Sequence, residues 1–465
     1  MSVADPGRVD VGALAGRFSG QLLGAGDEGY DEARRVWNAD IDRRPAVIAR
    51  CESTADIAAA VRFARERELA ISVRGGGHGV AGWAVCEGGV MIDLSPMRRI
   101  DVDPASGIVR ADAGVQLGEL DAATRPHGLA VPAGIVTHTG IAGLSLGGGI
   151  GWLMRAHGLT ADHLVAADVV TADGEVARAE ERHEPELLWG LRGGGGNFGI
   201  VSRFEYQAGH LPPKVLAGAV VYDGEDASRV LRGYAQAAAE APDQITTIVT
   251  VRNAAPVPFL PDQWHGRPVV MVGVCHCGDD LDAAERDVGP FRSLGRRVAD
   301  VVRPAPFTEL QSMFDSSVPW GWGYYWKARY LASFDPPVVD TLLEHAWAHG
   351  SPRSYLIVFQ MGGAVRHVDE DATAFTGRDA AFALNINGIW TDPADRAGQV
   401  AWTRDVFDAT EPFQSGVYVN FLGDEGGDRV REAYGEDKFA RLARLKRATD
   451  PDNALRLNQN VPPAP

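Results

Sequence analysis

The chain is short of cysteine, of basic residues and of long apolar runs, and each shortage excludes something. Its 465 residues include four cysteines, Cys51, Cys86, Cys275 and Cys277, too few and too unevenly spaced for a disulfide framework, which fits a reducing cytosol. Lysine and arginine number 45 against 62 acidic residues, a formal net charge of -17. That balance repels phosphate backbones and anionic lipid, so neither nucleic acid nor membrane is an expected partner. No stretch nears the ~20 apolar residues of a membrane helix. The start, MSVADPGRVDVGALAGRFSG, lacks the basic region and apolar run of a secretory signal. The expectation is a soluble, cytoplasmic protein. P-loop nucleotide chemistry is excluded, because no G-x-x-x-x-G-K-[ST] occurs.

What the chain has in plenty is glycine, 55 residues, gathered at Arg74–Gly79 (RGGGHG), Gly143–Gly151 (GLSLGGGIG) and Arg192–Gly199 (RGGGGNFG). Glycine loses the most backbone entropy on folding, so such runs belong where the chain takes positive φ or lets a ligand approach its N–H groups. Ordered elements flank them. Ser53–Arg67 reads as a helix, with Ile57, Ala60, Val61 and Ala64 on one face and a Ser53-x-x-Asp56 cap. Ile71–Arg74 and Val90–Leu94 read as buried strands. Arg99–Asp103 with Ile108–Asp112, and Leu164–Thr171 with Glu175–Ala179, read as hairpins, Gln116–Arg125 as a helix, and Gly199–Gln207 as a strand. After Leu211-Pro212-Pro213 the glycine clusters stop and aromatics gather at Trp320–Trp326. Strand and turn patterns run from Ala364 to Trp390, followed by helical stretches at Asp395–Thr410 and Lys438–Lys446. The length and this change of texture predict more than one domain, and the first half reads as mixed α+β.

Three short motifs invite other readings. Gly194–Gly199 satisfies G-x-G-x-x-G, but a helical stretch precedes it and a strand follows, the reverse of a dinucleotide fingerprint. Gly143-Leu-Ser145-Leu-Gly147 satisfies the nucleophile elbow G-x-S-x-G, which keeps a serine hydrolase using Ser145 as an alternative. Gly147-Gly148-Gly149 is, however, a poor start for the helix that motif requires. Cys275-His276-Cys277 has no second ligand pair to close a metal site, and its alternating neighbours suggest a strand. No metal site is expected.

The segments Arg74-Gly75-Gly76-Gly77-His78-Gly79, Pro132-Ala-Gly134 through His138-Thr139-Gly140, Gly143-Leu144 through Gly148-Gly149-Ile-Gly151, and Asn197-Phe-Gly199-Ile200 resemble the flavin-binding half of the berberine-bridge-enzyme-like flavoproteins. These belong to the vanillyl-alcohol-oxidase superfamily with PCMH-type FAD-binding domains. Tyr418-Val-Asn420-Phe421 and Asn458-Gln-Asn460-Val-Pro-Pro463 resemble the segment by which that family returns to its flavin. The likeness is nearest to a bacterial polyketide-tailoring branch, typified by the enterocin-pathway Favorskiase, on His78, Val136 and the His138-Thr139 pair.

The resemblance implies an α+β fold: a two-part PCMH-type FAD-binding domain with an inserted α+β substrate domain, an antiparallel sheet covered by helices. Residues 1–42 would pack on the FAD domain, 43–212 form it, 213–415 bind substrate, and 416–465 return to the flavin. It implies FAD bound covalently to His78, cradled by the residues just named, with main-chain N–H groups on the pyrophosphate. A second link through cysteine is excluded by Val136. His138, Thr139 and Tyr418 are the catalytic candidates, Thr139 at a position that controls access of O2. The family's usual base is a tyrosine where this chain has Phe421, leaving Tyr418, Tyr324, Tyr325, His138 and Gln360 as polar candidates. The expected activity is oxidation of a hydroxyl or activated C–H of a small molecule, a polyketide or other secondary metabolite, with O2 as acceptor. Trp320–Trp326 is one candidate wall for it. An N5-oxide type tailoring monooxygenase and a non-catalytic flavin protein stay open as alternatives, and the resemblance allows a homodimer.

Overall fold

The computed structural model describes residues 10–465, so the first nine residues of the segment 1–42 lie outside the described part. The first sheet joins β1 (Gln21–Leu23), β2 (Val47–Arg50), β3 (Ile71–Arg74) and β4 (Val90–Asp93) in the order β1-β2-β4-β3. Its last three strands are parallel and need a crossover, which the helix Thr54–Glu66 provides between β2 and β3. Ser53 caps that helix, accepting the N–H of Asp56 at 3.2 Å, and Ile57, Ala60, Val61 and Ala64 are buried beneath it.

The second sheet is antiparallel. It takes β5 (Ile100–Asp103) and β6 (Ile108–Asp112), skips the short β7 (Leu129–Ala130), and continues with β8 (Leu164–Val170), β9 (Val176–Glu180) and β10 (Ile200–Gln207), in the order β5-β6-β10-β8-β9. The β5–β6 turn closes because the Asp103 carboxylate accepts the N–H of Ala105 at 3.0 Å and Gly107 takes a φ of +71°. β11 (Gly209–His210) pairs with β7.

The third sheet is large and antiparallel. Its strands are β12 (Val215–Asp223), β13 (Ile245–Asn253), β14 (Pro268–His276), β15 (Arg297–Asp300), β16 (Arg303–Ala305), β17 (Gly323–Leu331), β18 (Tyr355–Gln360) and β19 (Phe382–Trp390). They run β15-β12-β14-β13-β18-β19-β17, with β16 added beside β12. Leu216, Val249, Val272, Leu356 and Leu384 face the helices Ala227–Glu240, Leu281–Val288, Pro336–His345 and Arg396–Ala409. Ala217, Ile248, Cys275, Ile357 and Ala383 face the other way, against Trp152, Leu153 and Phe314. With both faces covered, the strands read as continuous apolar runs. The fold is the expected α+β type, an antiparallel sheet covered by helices beside a glycine-rich, mixed part.

Cys275 and His276 lie on β14, the strand their alternating neighbours suggested, with His276 Nε2 meeting Asp287 Oδ2 at 3.0 Å. One expectation is corrected in detail. The last helix, Gly427–Thr449, is much longer than Lys438–Lys446, because Gly435 at φ +68° bends it and interrupts the apolar period without ending it. Beyond it the chain is drawn inward. The Lys446 ammonium, fully buried, donates to Asn197 O, Leu455 O and the Asp450 carboxylate at 2.7–2.9 Å.

The helical segment after Gly151 ties the smaller sheets to the large one. Arg155 donates from Nε to Ile245 O at 2.8 Å, from Nη1 to Met361 O at 2.6 Å and from Nη2 to Ala241 O at 3.1 Å. Nearby, Asp162 receives both Nη groups of the buried Arg378, at 2.6 and 3.1 Å. A buried guanidinium is tolerated only when its donors are met, and here main-chain carbonyls and one carboxylate meet them. Among the described residues no helix is long and apolar enough to cross a membrane.

Candidate functional site

A cavity of about 370 Å³ lies where the three sheets and the C-terminal segment converge. Its first wall is main chain. Leaving β3, the chain runs through Gly75–Ala84, and among the described residues the consecutive amides of Gly76 to Ala81 donate to no main-chain carbonyl. A Cβ on Gly76 would lie 2.3 Å from the nitrogen of Gly140, and a Cβ on Gly140 equally close to Gly76, so the two loops touch backbone to backbone. At Gly79, Gly143 and Gly196 an added Cβ would meet nothing within 4 Å. There the cavity itself reaches the backbone.

A row of free amides beside open space, with no Asp, Glu, Lys or Arg side chain in the lining, is an anion nest of the kind a pyrophosphate fills. The elongated lining continues to apolar residues Leu144, Leu146, Ile150, Val419 and Leu422, suited to a flat ring system. These residues fit FAD.

His78 stands at the turn of this wall. Its Nε2 lies 3.1 Å from Nδ1 of His138, and its ring stacks on Trp37 with centroids 4.4 Å apart; Trp37 in turn stacks on Tyr324 at 3.7 Å. Burial, with repulsion from His138 added, lowers the His78 pKa to about 3, so the imidazole is neutral at physiological pH. Burial lowers His138 as well, against the attraction of Asp315, which accepts Thr137 N–H at 2.9 Å and Thr137 Oγ1–H at 2.5 Å. Tyr418 lines the cavity, and its phenol oxygen accepts the N–H of Gly149 and Asn420 Nδ2–H, both at 2.9 Å. Burial raises its pKa while these donors pull it down.

Of the residues singled out from sequence, Gly75, Gly76, Gly77, His78, Gly79, Gly134, Thr139, Gly140, Gly143, Leu144, Gly199, Ile200, Tyr418, Asn420 and Asn458 line the cavity. The others stand behind it. Arg74 donates to Ala33 O at 2.5 Å, Pro132 O accepts from Thr160 Oγ1 at 2.6 Å, and His138 backs His78. Gly148, Gly149 and Gly151 are packing glycines, pressed against Phe375, Thr160 and the Ala133 carbonyl. Asn197 clamps Gly194 O and Gln459 O at 2.9 and 3.1 Å while its Oδ1 accepts from Val461 N–H, and Asn460 is likewise outside the lining.

The aromatic wall is mostly elsewhere. Only Trp326 of Trp320–Trp326 lines the cavity: Trp320 and Trp322 precede β17, Tyr325 points to its opposite face, and Tyr324, on the same face as Trp326, is stacked on Trp37. Tyr324 donates to Pro319 O at 2.5 Å, Tyr325 Oη accepts from Arg404 Nε at 3.2 Å, and Gln360 is held by Thr247 and Ala238 O. Apart from Ile357, whose place resembles a pocket position of the family, sequence reasoning missed the second wall, which is made of Tyr355, Ile357 and Phe359 on β18 and Asn385 and Asn387 on β19. The faint signal was two asparagines alternating inside the apolar run FALNINGIW. The hydrolase reading is corrected outright. Ser145 is fully buried within the helix Ile141–Leu146, and among the described residues its Oγ meets only the Tyr206 hydroxyl, at 2.7 Å.

Comparison with known proteins agrees with this geometry. The family model described as FAD binding domain matches residues 45–180, and that described as berberine and berberine like matches 417–462. The (R)-6-hydroxynicotine oxidase of Paenarthrobacter nicotinovorans is 31% identical over 466 residues, covering 96% of this chain and 97% of that protein. An FAD-linked oxidoreductase of Dictyostelium discoideum is 28% identical over 451 residues, covering 96% and 95%. The crystal structure of 6-hydroxy-D-nicotine oxidase from Arthrobacter nicotinovorans superimposes with a TM-score of 0.87 at 30% identity, covering 96% of this chain and 98% of that one.

Proposed function

The chain belongs to the berberine-bridge-like FAD-linked oxidoreductases, and from that premise we propose that it is an oxidase with FAD joined covalently to His78. In this reading it oxidises a hydroxyl or activated C–H of a flat, largely apolar organic molecule, a polyketide or similar secondary metabolite, with O2 as acceptor. The observation that carries it is the run of free amides Gly76–Ala81 interrupted by a neutral histidine facing the cavity.

FAD bound here supplies a two-electron acceptor for hydride from the substrate, which O2 then regenerates. The protein supplies placement and proton handling. The His78 Nε2 contact to His138 leaves Nδ1 as the ring nitrogen free to bond carbon, and the Trp37 stack fixes the plane of the ring. Gly76–Ala81 hold the pyrophosphate by hydrogen bonds that need no cationic side chain. Tyr418 positions the substrate hydroxyl, since burial keeps its phenol protonated and its oxygen already accepts two N–H donors, leaving its O–H for the substrate oxygen. Thr139, on the lining beside Gly140, governs how O2 reaches the ring. The four cysteines are buried and unpaired, which suits a reducing cytoplasm.

Intact-mass measurement tests the central claim. The purified polypeptide is expected to weigh its amino acids plus one FAD and to stay yellow after acid precipitation. His78→Ala should release all of its flavin on denaturation. A wild-type chain of unmodified mass with no bound flavin would overturn the reading.

A further inference from the structure

Strand register lays out the inner face of the large sheet as a grid. Tyr355 on β18 stands opposite Asn387 on β19, and Ile357 opposite Asn385. Side chains two apart on a strand share a face, so Asn385 and Asn387 are neighbours on β19. Both are 2% exposed, and both line the cavity together with Tyr355 and Ile357. Two carboxamides inside the apolar run Phe382–Trp390 need a reason, because an amide taken out of water without partners is costly.

Part of their hydrogen-bonding capacity is used between them, and that part fixes the rest. Asn387 Nδ2 donates to the main-chain oxygen of Asn385 at 3.1 Å and to its Oδ1 at 3.2 Å. A main-chain carbonyl only accepts, so the atom of Asn387 that meets it is the nitrogen. The atom of Asn385 that accepts from that nitrogen is then the oxygen. Left over are Asn387 Oδ1, an acceptor, and Asn385 Nδ2, a donor. Among the described residues neither has a hydrogen-bond partner, and neither is sealed in the packing as Thr250 Oγ1, in the row of Ile357 and Asn385, is. The surface they keep is the cavity's. Beside them the Tyr355 hydroxyl is uncharged, since burial pushes it up to about 12. No Asp, Glu, Lys or Arg side chain lines the cavity, so a charge on a ligand would go unmatched. This wall therefore sets one neutral donor and one neutral acceptor among the apolar faces of Ile357, Phe359 and Phe314.

We propose that the substrate carries a neutral cis-amide, the C(=O)–N–H edge of a lactam ring, received by Asn385 and Asn387 on the large-sheet wall. The claim deepens the proposed function and rests on its reading of this cavity as the place where substrate meets flavin. The amide oxygen accepts from Asn385 Nδ2 and the amide N–H donates to Asn387 Oδ1, which satisfies both leftover groups at once and orients the ring toward the main-chain wall. A carboxylate would set an oxygen against Asn387 Oδ1 with no cationic side chain in the lining to offset it, and a lactone has no N–H to give.

Carbostyril, a flat bicyclic lactam, and coumarin, the lactone of the same shape, test it. Each is titrated into the flavin-loaded protein while the flavin absorption is followed. Carbostyril is expected to bind saturably and about tenfold or more tightly than coumarin, because a site built around an N–H rejects the analogue that lacks it. Asn387→Leu, which removes the acceptor and keeps the volume, should bind the two alike. Equal binding of the two by the wild type, tighter binding of coumarin, or a carbostyril preference that survives in Asn387→Leu overturns the proposal. The wild-type preference needs no variant and decides alone if Asn387→Leu does not fold. A chain without flavin would sink the function proposed above instead, and calorimetry with the same two probes would then decide this claim.

Discussion

The two walls of the cavity are built by different means. One is main chain: loops of glycine that meet backbone to backbone at Gly76 and Gly140 and leave six consecutive amides free. The other is side chain: Trp326, Tyr355, Ile357, Phe359, Asn385 and Asn387, carried on three rigid strands. A main-chain wall offers the same donors whatever its neighbours do, so it suits a cofactor that never changes. A side-chain wall can be rewritten one residue at a time without disturbing the strands beneath, which suits a substrate that differs from relative to relative.

The sharpest way to break the contrast is Gly76→Ala. Its Cβ would fall 2.3 Å from Gly140 N, an atom in a second loop with no room to retreat. Loss of flavin and of most soluble protein is expected, whereas Ile357→Ala on the opposite wall should remain fully yellow. Equal flavin content in the two would erase the distinction. Tyr418→Phe comes next. It should keep its flavin and slow flavin reduction by substrate by about 10²-fold, the usual cost of a misplaced reacting group, as read by anaerobic stopped-flow absorbance.

The smallest effect separates the two parts by the sign of their pH response. Asp121 is buried on the helix Leu117–Thr124 of the glycine-rich part with Oδ2 unpartnered, and burial raises its pKa from 3.8 to about 8. The folded state then binds the proton better, so this stability is complete below about pH 4 and is lost as pH rises through 8. His349, beneath the large sheet's helices, is lowered by burial from 6.5 to about 4, so stability is lost as pH falls between those values. Each slope is at most about 1.4 kcal/mol per pH unit. Denaturant melts from pH 5 to 8 should lose their alkaline slope in Asp121→Asn and their acid slope in His349→Gln.

The same contrast explains what could be read from the amino acids. The helix Thr54–Glu66, the hairpins and the glycine loops were legible because a cap, a period or a forbidden Cβ leaves a local mark. Gly76 and Gly149 look alike in that reading, since glycine reports that something comes close and not what it is. One admits a neighbouring loop at the cavity, the other admits Thr160 away from it. His138 and Thr139 are adjacent, yet one backs His78 and the other lines the cavity, a difference that depends on a turn. The grid of the large sheet was out of reach for a deeper reason. Tyr355 faces Arg252 only through the register of strands separated by about a hundred residues of chain, and nothing local fixes that register.

The Arg155 clasp has a consequence for how such a molecule can change over time. It grips oxygen atoms of the peptide backbone at Ala241, Ile245 and Met361, which every amino acid possesses. Mutations can therefore accumulate at those three positions without loosening the joint, and a whole catalytic chamber can be exchanged for a cousin's as long as its loops bring three carbonyls to the same places. Inheritance acts here on geometry, and spelling is free to drift.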